Sequence, residues 1–133
     1  MYTRLVYRRV KEGMVAQATA STYRKEIETS LNCQSRNILY LIECKKCCLQ
    51  YVGETDRSLQ DRFSDQKGYV NNTRLNQATG EHFNRPGHSI SDMSVMAIQK
   101  VFDRGAPYRK ELGKEKISNF RGFRHGINKN ACG

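Results

Sequence analysis

Two short apolar runs dominate the hydrophobic pattern, Ile38-Leu39-Tyr40-Leu41-Ile42 and Leu49-Gln50-Tyr51-Val52-Gly53. Both are rich in β-branched and aromatic residues, and they predict two strands joined by the cysteine-bearing segment between them. Gly53-Glu54-Thr55-Asp56 reads as a loop leading to a helix N-cap. Beyond it, Leu59, Arg62 and Phe63 fall at helical spacing and predict a helix to about Tyr69, with Arg62 projecting from it. Asn71-Asn72 breaks that helix, and a loop-like stretch leads to His82-Phe83-Asn84-Arg85-Pro86-Gly87-His88, whose Pro-Gly pair marks a tight turn. Met93, Val95 and Ala97 fall at alternate positions and predict a half-buried third strand within Met93 to Val101. A second helix follows from Tyr108 to Phe120, with Leu112, Ile117 and Phe120 partly aligned on one face. Before Cys33 the pattern is ambiguous. Tyr23, Ile27 and Leu31 are spaced as on a helix, while Tyr23, Lys25 and Ile27 alternate as on a strand, so residues 1–32 are expected to be an arm of uncertain structure. The pattern as a whole predicts an α/β domain at 33–128, a small three-stranded, mostly antiparallel sheet flanked by helices, followed by a short tail at 129–133.

Length and composition narrow this picture. The chain's 133 residues suit one domain, and no apolar run approaches the roughly 18 residues of a membrane helix. No signal-type segment follows Met1, so an intracellular protein is expected. Lys and Arg number 23 against 13 Asp and Glu, a formal charge of +10, which favours encounter with polyanions such as nucleic acid without naming a partner. Three of the five cysteines, Cys44, Cys47 and Cys48, crowd into one segment, unlike a disulfide framework.

Cys44-Lys45-Lys46-Cys47 is a two-residue-spaced pair on a turn, so both thiolates can reach one tetrahedral ion. Two of the three histidines, His82 and His88, flank the Pro-Gly turn. These four residues are expected to form a Cys2His2 zinc site. The long segment between Cys47 and His82 suits a structural staple rather than a base-reading finger. Buried thiols and a redox Cys-x-x-Cys are the competing readings of the pair. Cys48 adjoins Cys47 but would point to the opposite face of a strand, and Cys33 and Cys132 read as ordinary thiols.

The ordered words Asn37-Ile38-Leu39-Tyr40-Leu41-Ile42-Glu43-Cys44-Lys45-Lys46-Cys47, Gln50-Tyr51-Val52-Gly53-Glu54-Thr55, Arg62-Phe63, Glu81-His82-Phe83-Asn84 with Pro86-Gly87-His88, and Gly126-Ile127-Asn128 together resemble the GIY-YIG nucleases, in the variety carried by Penelope-like retroelements. The resemblance covers Cys33 to Asn128. It implies metal-dependent hydrolysis of DNA phosphodiesters, with Tyr40 and Tyr51 positioning or deprotonating the attacking water, Arg62 contacting the phosphate and Asn128 orienting the water or a tyrosine. It also implies a catalytic Mg2+ or Mn2+, a nuclear DNA target and a reverse transcriptase as partner or former fusion. A phenol is a poor base unless its pKa is lowered, and a guanidinium suits a phosphoryl transition state because it stays charged and pairs two oxygens.

Three positions depart from the family's pattern. Gln66 stands where a histidine is usual, and an amide cannot exchange a proton near neutral pH. Gly113 stands at the position of the glutamate that holds the divalent ion. A register slip that brings Glu111 inward would be the substitute. Gly122 replaces a usual threonine. The expectation is therefore an endonuclease impaired in this copy, with a catalytically inactive, zinc-stapled nucleic-acid-binding module as the alternative and a thiol-redox protein as a third reading.

Overall fold

The computed structural model describes residues 6–7, 9–102, 105–120 and 126–128. Gly122, Cys132 and the tail at 129–133 lie outside them. In chain order the elements are β1 (Val6–Tyr7), β2 (Val15–Gln17), β3 (Arg24–Glu26), β4 (Ile38–Cys44), β5 (Gln50–Thr55), α1 (Leu59–Asn71), α2 (Ala78–His82), β6 (Met93–Lys100) and α3 (Gly105–Asn119). A single 3-10 turn at Ile90–Asp92 leads into β6.

The protein is a small α/β structure with an antiparallel three-stranded sheet and three helices. The sheet order is β1-β6-β4-β5, in which β4 pairs antiparallel with both neighbours and β1 adds two residues in parallel on the outer side of β6. β4 is central and buried along nearly its whole length, as its continuous apolar sequence requires. Gly53, Glu54 and Thr55, expected in a loop, extend β5 instead, and Ser58 caps α1 by accepting from the Asp61 amide at 3.1 Å.

The β4–β5 register assigns the two faces of the sheet. Tyr40 lies opposite Gly53, and Ile42 opposite Tyr51, so Ile38, Tyr40, Ile42, Tyr51 and Gly53 share one face. α1 covers that face, with Leu59, Phe63 and Val70 buried. Leu39, Leu41, Gln50, Val52 and Glu54 share the other face, which α3 and the β2–β3 hairpin cover.

Residues 9–32 are not a detached arm. β2 and β3 pair as a hairpin in which Ala16, Ala18, Lys25 and Ile27 turn inward, which decides the ambiguous pattern in favour of strand alternation. Val10 and Leu31 bridge the two ends of this segment. Thr19 hydrogen-bonds Gln50 and Cys48, and Tyr23 packs edge-on against Phe120 with ring centroids 5.2 Å apart. α2 was likewise unforeseen, since a five-residue helix centred on Gly80 has almost no periodic signal. Gly80 is required there because a Cβ would strike the backbone carbonyls of Arg74 and Tyr69, so glycine lets α2 lie directly against the loop that follows α1.

Candidate functional site

The structure gathers the candidate residues into two sites. At the end of β4 the chain turns tightly, with Cys48 N–H donating to the Cys44 carbonyl at 2.8 Å. Cys44 and Cys47 thereby face α2 and the Pro-Gly turn. The ligand atoms of Cys44, Cys47, His82 and His88 all lie within 4.8 Å of one another, and Cys47 Sγ is 3.4 Å from His82 Nε2. Cys48 is exposed in the left-handed region at φ 63°, outside this group, because it belongs to the turn rather than to a strand.

The donor chemistry fits a metal ion. His88 Nδ1 faces the Pro86 carbonyl at 3.3 Å, which fixes that nitrogen as the donor and leaves the lone pair on Nε2. Nε2 is buried and has no hydrogen-bond partner, the state of a ligand awaiting an ion. Burial, reinforced by His88 and Arg85 nearby, pushes His82 down to about 4, so its imidazole is neutral at pH 7, as ligation demands. Burial pushes the Cys44 thiol up; it acts upward on Cys47 too, but His88 beside it helps to draw that thiol down. Two soft sulfurs and two imidazoles converging in this way could hold a metal ion.

The second site centres on Tyr40, which is fully buried. Its phenol oxygen accepts from Arg62 Nε at 3.1 Å and from Gln66 Nε2 at 2.9 Å. With both lone pairs filled, the phenol is left to act as a hydrogen-bond donor. Burial first, and then the neighbouring Tyr51, hold its pKa well above the ordinary tyrosine range despite Arg62 and Gln66. Tyr51 stands beside it, half-buried, with ring centroids 6.3 Å apart. Gly53 permits this arrangement, since a Cβ there would overlap the Tyr40 ring.

Arg62 reaches from α1 into a polar cleft of about 290 Å³ lined by Glu54, Thr55, Asp56, Arg57, Arg62, Arg109 and Lys110. Arg57 and Arg62 both hydrogen-bond the same oxygen of Asp65, and Glu54 takes Arg109 in an ion pair with Lys110 at 3.7 Å. Four cationic side chains against two acidic ones in the lining make the cleft attractive to anions.

Three further candidates are placed less simply. Asn128 turns its amide to the edge of the sheet, accepting from Val52 N–H at 2.8 Å and donating to Val52 C=O at 2.9 Å, and so holds the backbone next to Tyr51. Gly113 is buried against the Glu54 side chain, on the sheet face opposite Tyr40, while Glu111 is exposed. The register that would turn Glu111 inward is not adopted. Gln66 is buried and bonded on both ends of its amide, to Tyr40 and to the Thr79 hydroxyl. Thr79, Glu54 and Arg109 were not found from sequence, since a lone threonine and an ion pair across 55 residues leave no local signal.

Comparison with known proteins gives no matching family model, no matching curated protein and no matching solved structure. No helix among the described residues is long and apolar enough to cross a membrane.

Proposed function

We propose that this chain binds duplex DNA by its phosphates on a GIY-YIG-type plan, stapled by zinc at Cys44, Cys47, His82 and His88, and cleaves weakly or not at all. The observation that carries this reading is Arg62, held from behind by the buried Tyr40 and projecting into the wall of a cationic cleft. Arg62 would pair the nonbridging oxygens of a phosphodiester, with the buried Tyr40 oxygen fixing its guanidinium from the inner side. Hydrolysis needs more. Tyr40 is far from being a base and Gln66 cannot exchange a proton near neutral pH, which leaves the phenols of Tyr51 beside Tyr40 and of Tyr69 beside Arg62.

The residues present do not fit a catalytic Mg2+ or Mn2+ well. Among the described residues no group of three or more His, Cys, Asp or Glu gathers in the cleft, and Glu54 is already committed to Arg109 and Lys110. This favours the binding-module version of the reading over an active nuclease. A nuclear target and a reverse transcriptase partner belong to the same reading and depend on it.

Binding to a labelled duplex, followed by fluorescence anisotropy across a salt series, and nicking of supercoiled plasmid with Mg2+ or Mn2+ test the proposal together. The expected result is salt-sensitive binding weakened by Arg62→Ala, with little nicking. Robust nicking abolished by Arg62→Ala would refute the weak-cleavage half, and absence of binding at low salt would refute the whole. A thiol-redox role for Cys44 and Cys47 loses its basis if the purified protein carries about one zinc per chain.

A further inference from the structure

The zinc cluster and the tyrosine cleft are described above as separate sites, but one short helix belongs to both. α2 has five residues, and His82 lies one turn after Thr79 within it. A helix of that length has no stability of its own. It is held by the seat of Gly80 against the carbonyls of Arg74 and Tyr69 and by Asn84, which donates to the carbonyls of Val70 and Gly80, while its last residue, His82, belongs to the Cys/His cluster.

From this helix a line of buried polar groups runs into the other site. The Thr79 hydroxyl donates to Gln66 Oε1, Gln66 Nε2 donates to the Tyr40 oxygen at 2.9 Å, and Arg62 Nε donates to the same oxygen. Thr79, Gln66 and Tyr40 are exposed by 1, 2 and 0 %. The direction of this line matters because an amide is polar at both ends. In the observed arrangement Thr79 donates to the carbonyl end of Gln66, so the NH2 end faces the phenol and the phenol's own hydrogen points elsewhere. Without the hydroxyl, the amide is free to turn over and present its oxygen, and Tyr40 would then spend its hydrogen on Gln66.

We propose that Thr79 is a positioning residue for Tyr40, and that through it occupancy of the Cys44, Cys47, His82 and His88 cluster governs how the phenol and Arg62 are set. This rests on the zinc assignment made above. It adds that the staple is linked to the phosphate-facing groups. Linkage is reciprocal, so a change at Thr79 must also be felt by the metal.

The test uses the zinc-loaded full chain, labelled with 15N, as wild type, Thr79→Val and Thr79→Ser. Valine keeps the shape and removes the hydroxyl, and serine keeps the hydroxyl. The Gln66 side-chain amide and the Arg62 Nε–H resonances are expected to move in Thr79→Val and to return towards wild type in Thr79→Ser. Zinc affinity, from competition with a chromophoric chelator, is expected to fall about fivefold in Thr79→Val and to recover in Thr79→Ser. Resonances unmoved by valine, or moved equally by serine, overturn the positioning role. Zinc affinity unchanged in Thr79→Val overturns the link to the metal. None of these readouts involves DNA. A protein whose resonances follow Thr79 but which binds no duplex therefore keeps this inference and loses only the nucleic-acid reading.

Discussion

The Cys/His cluster and the tyrosine cleft grow from the same strand, with Tyr40 and Cys44 one on each side of Ile42 along β4. They differ in how completely they are furnished. At the cluster four soft or borderline donors converge, the His88 tautomer is set and a buried nitrogen lacks a partner. At the cleft the cations are present, but the phenol is held protonated, the neighbouring amide is fully engaged, and Gly113 faces the Glu54 stem from the other side of the sheet. Holding a metal for structure needs only that ligand atoms meet. Catalysis needs in addition a group ready to take a proton, and neither Tyr40 nor Gln66 is one.

The largest test of this contrast is Cys44→Ser. Loss of a ligand from a structural site should reduce bound zinc from about one per chain to nearly none and cost several kcal/mol in stability, read by metal analysis and thermal melting. A wild-type protein without zinc, and a melting temperature unchanged by Cys44→Ser, would show the cluster to be ordinary thiols and histidines.

Acid should attack the same site. His82 has a folded pKa of about 4 against 6.5 when unfolded. Between these values the unfolded chain binds a proton that the folded chain does not, so stability is full above 6.5 and falls as pH drops towards 4. His88 shifts the opposite way, drawn up by Cys47, and opposes part of this loss. Protons also compete with metal for every ligand, adding to the loss. Melting temperatures from pH 7 to pH 4 check the sign, and His82→Gln should flatten the curve.

At the cleft, Gly53→Ala places a methyl group into the Tyr40 ring and should cost about 1–3 kcal/mol by urea denaturation while zinc stays bound. Tyr40→Phe should cost a comparable or smaller amount, about 1–3 kcal/mol, because it leaves the buried Gln66 NH2 without its acceptor. The smallest effect is expected for Gly113→Glu. Its Cβ would meet Glu54 carbons at 3.7 and 3.8 Å, an ordinary contact, and the gain in helix propensity is offset by a second carboxylate beside Glu54. Because Gly113 is buried, a net loss of about 1 kcal/mol is expected. Strong Mg2+-dependent nicking by this variant alone would show that the cleft lacks only a carboxylate.

The sequence made legible those parts of the fold with strong local signals. β4 carries a continuous apolar run, and Leu59, Arg62 and Phe63 with the Asn71-Asn72 break marked α1, although its cap is Ser58 rather than a residue of 53–56; β6, expected to be half-buried, is buried along most of its length. The β2–β3 hairpin was hidden because its three-residue strands bury only alternate small or amphipathic residues, Ala16 and Lys25 among them. The cluster was legible because cysteines and histidines are rare and their spacing is local at each half. Gln66 could be recognised as a departure, yet its role could not. That role depends on Thr79, thirteen residues away across a loop and a helix too short to show periodicity.

The clamp of Asn128 on Val52 has a consequence for how the protein behaves at high concentration. β5 is the outer strand of the sheet, and the free amides and carbonyls of such a strand invite another chain to add on and continue the ladder. Here Asn128 takes both outward groups of Val52, and Ile127 N–H takes the Gln50 carbonyl at 2.8 Å. A single side chain thus imitates one residue of a further strand and ends the sheet there, guarding this edge against strand-to-strand aggregation.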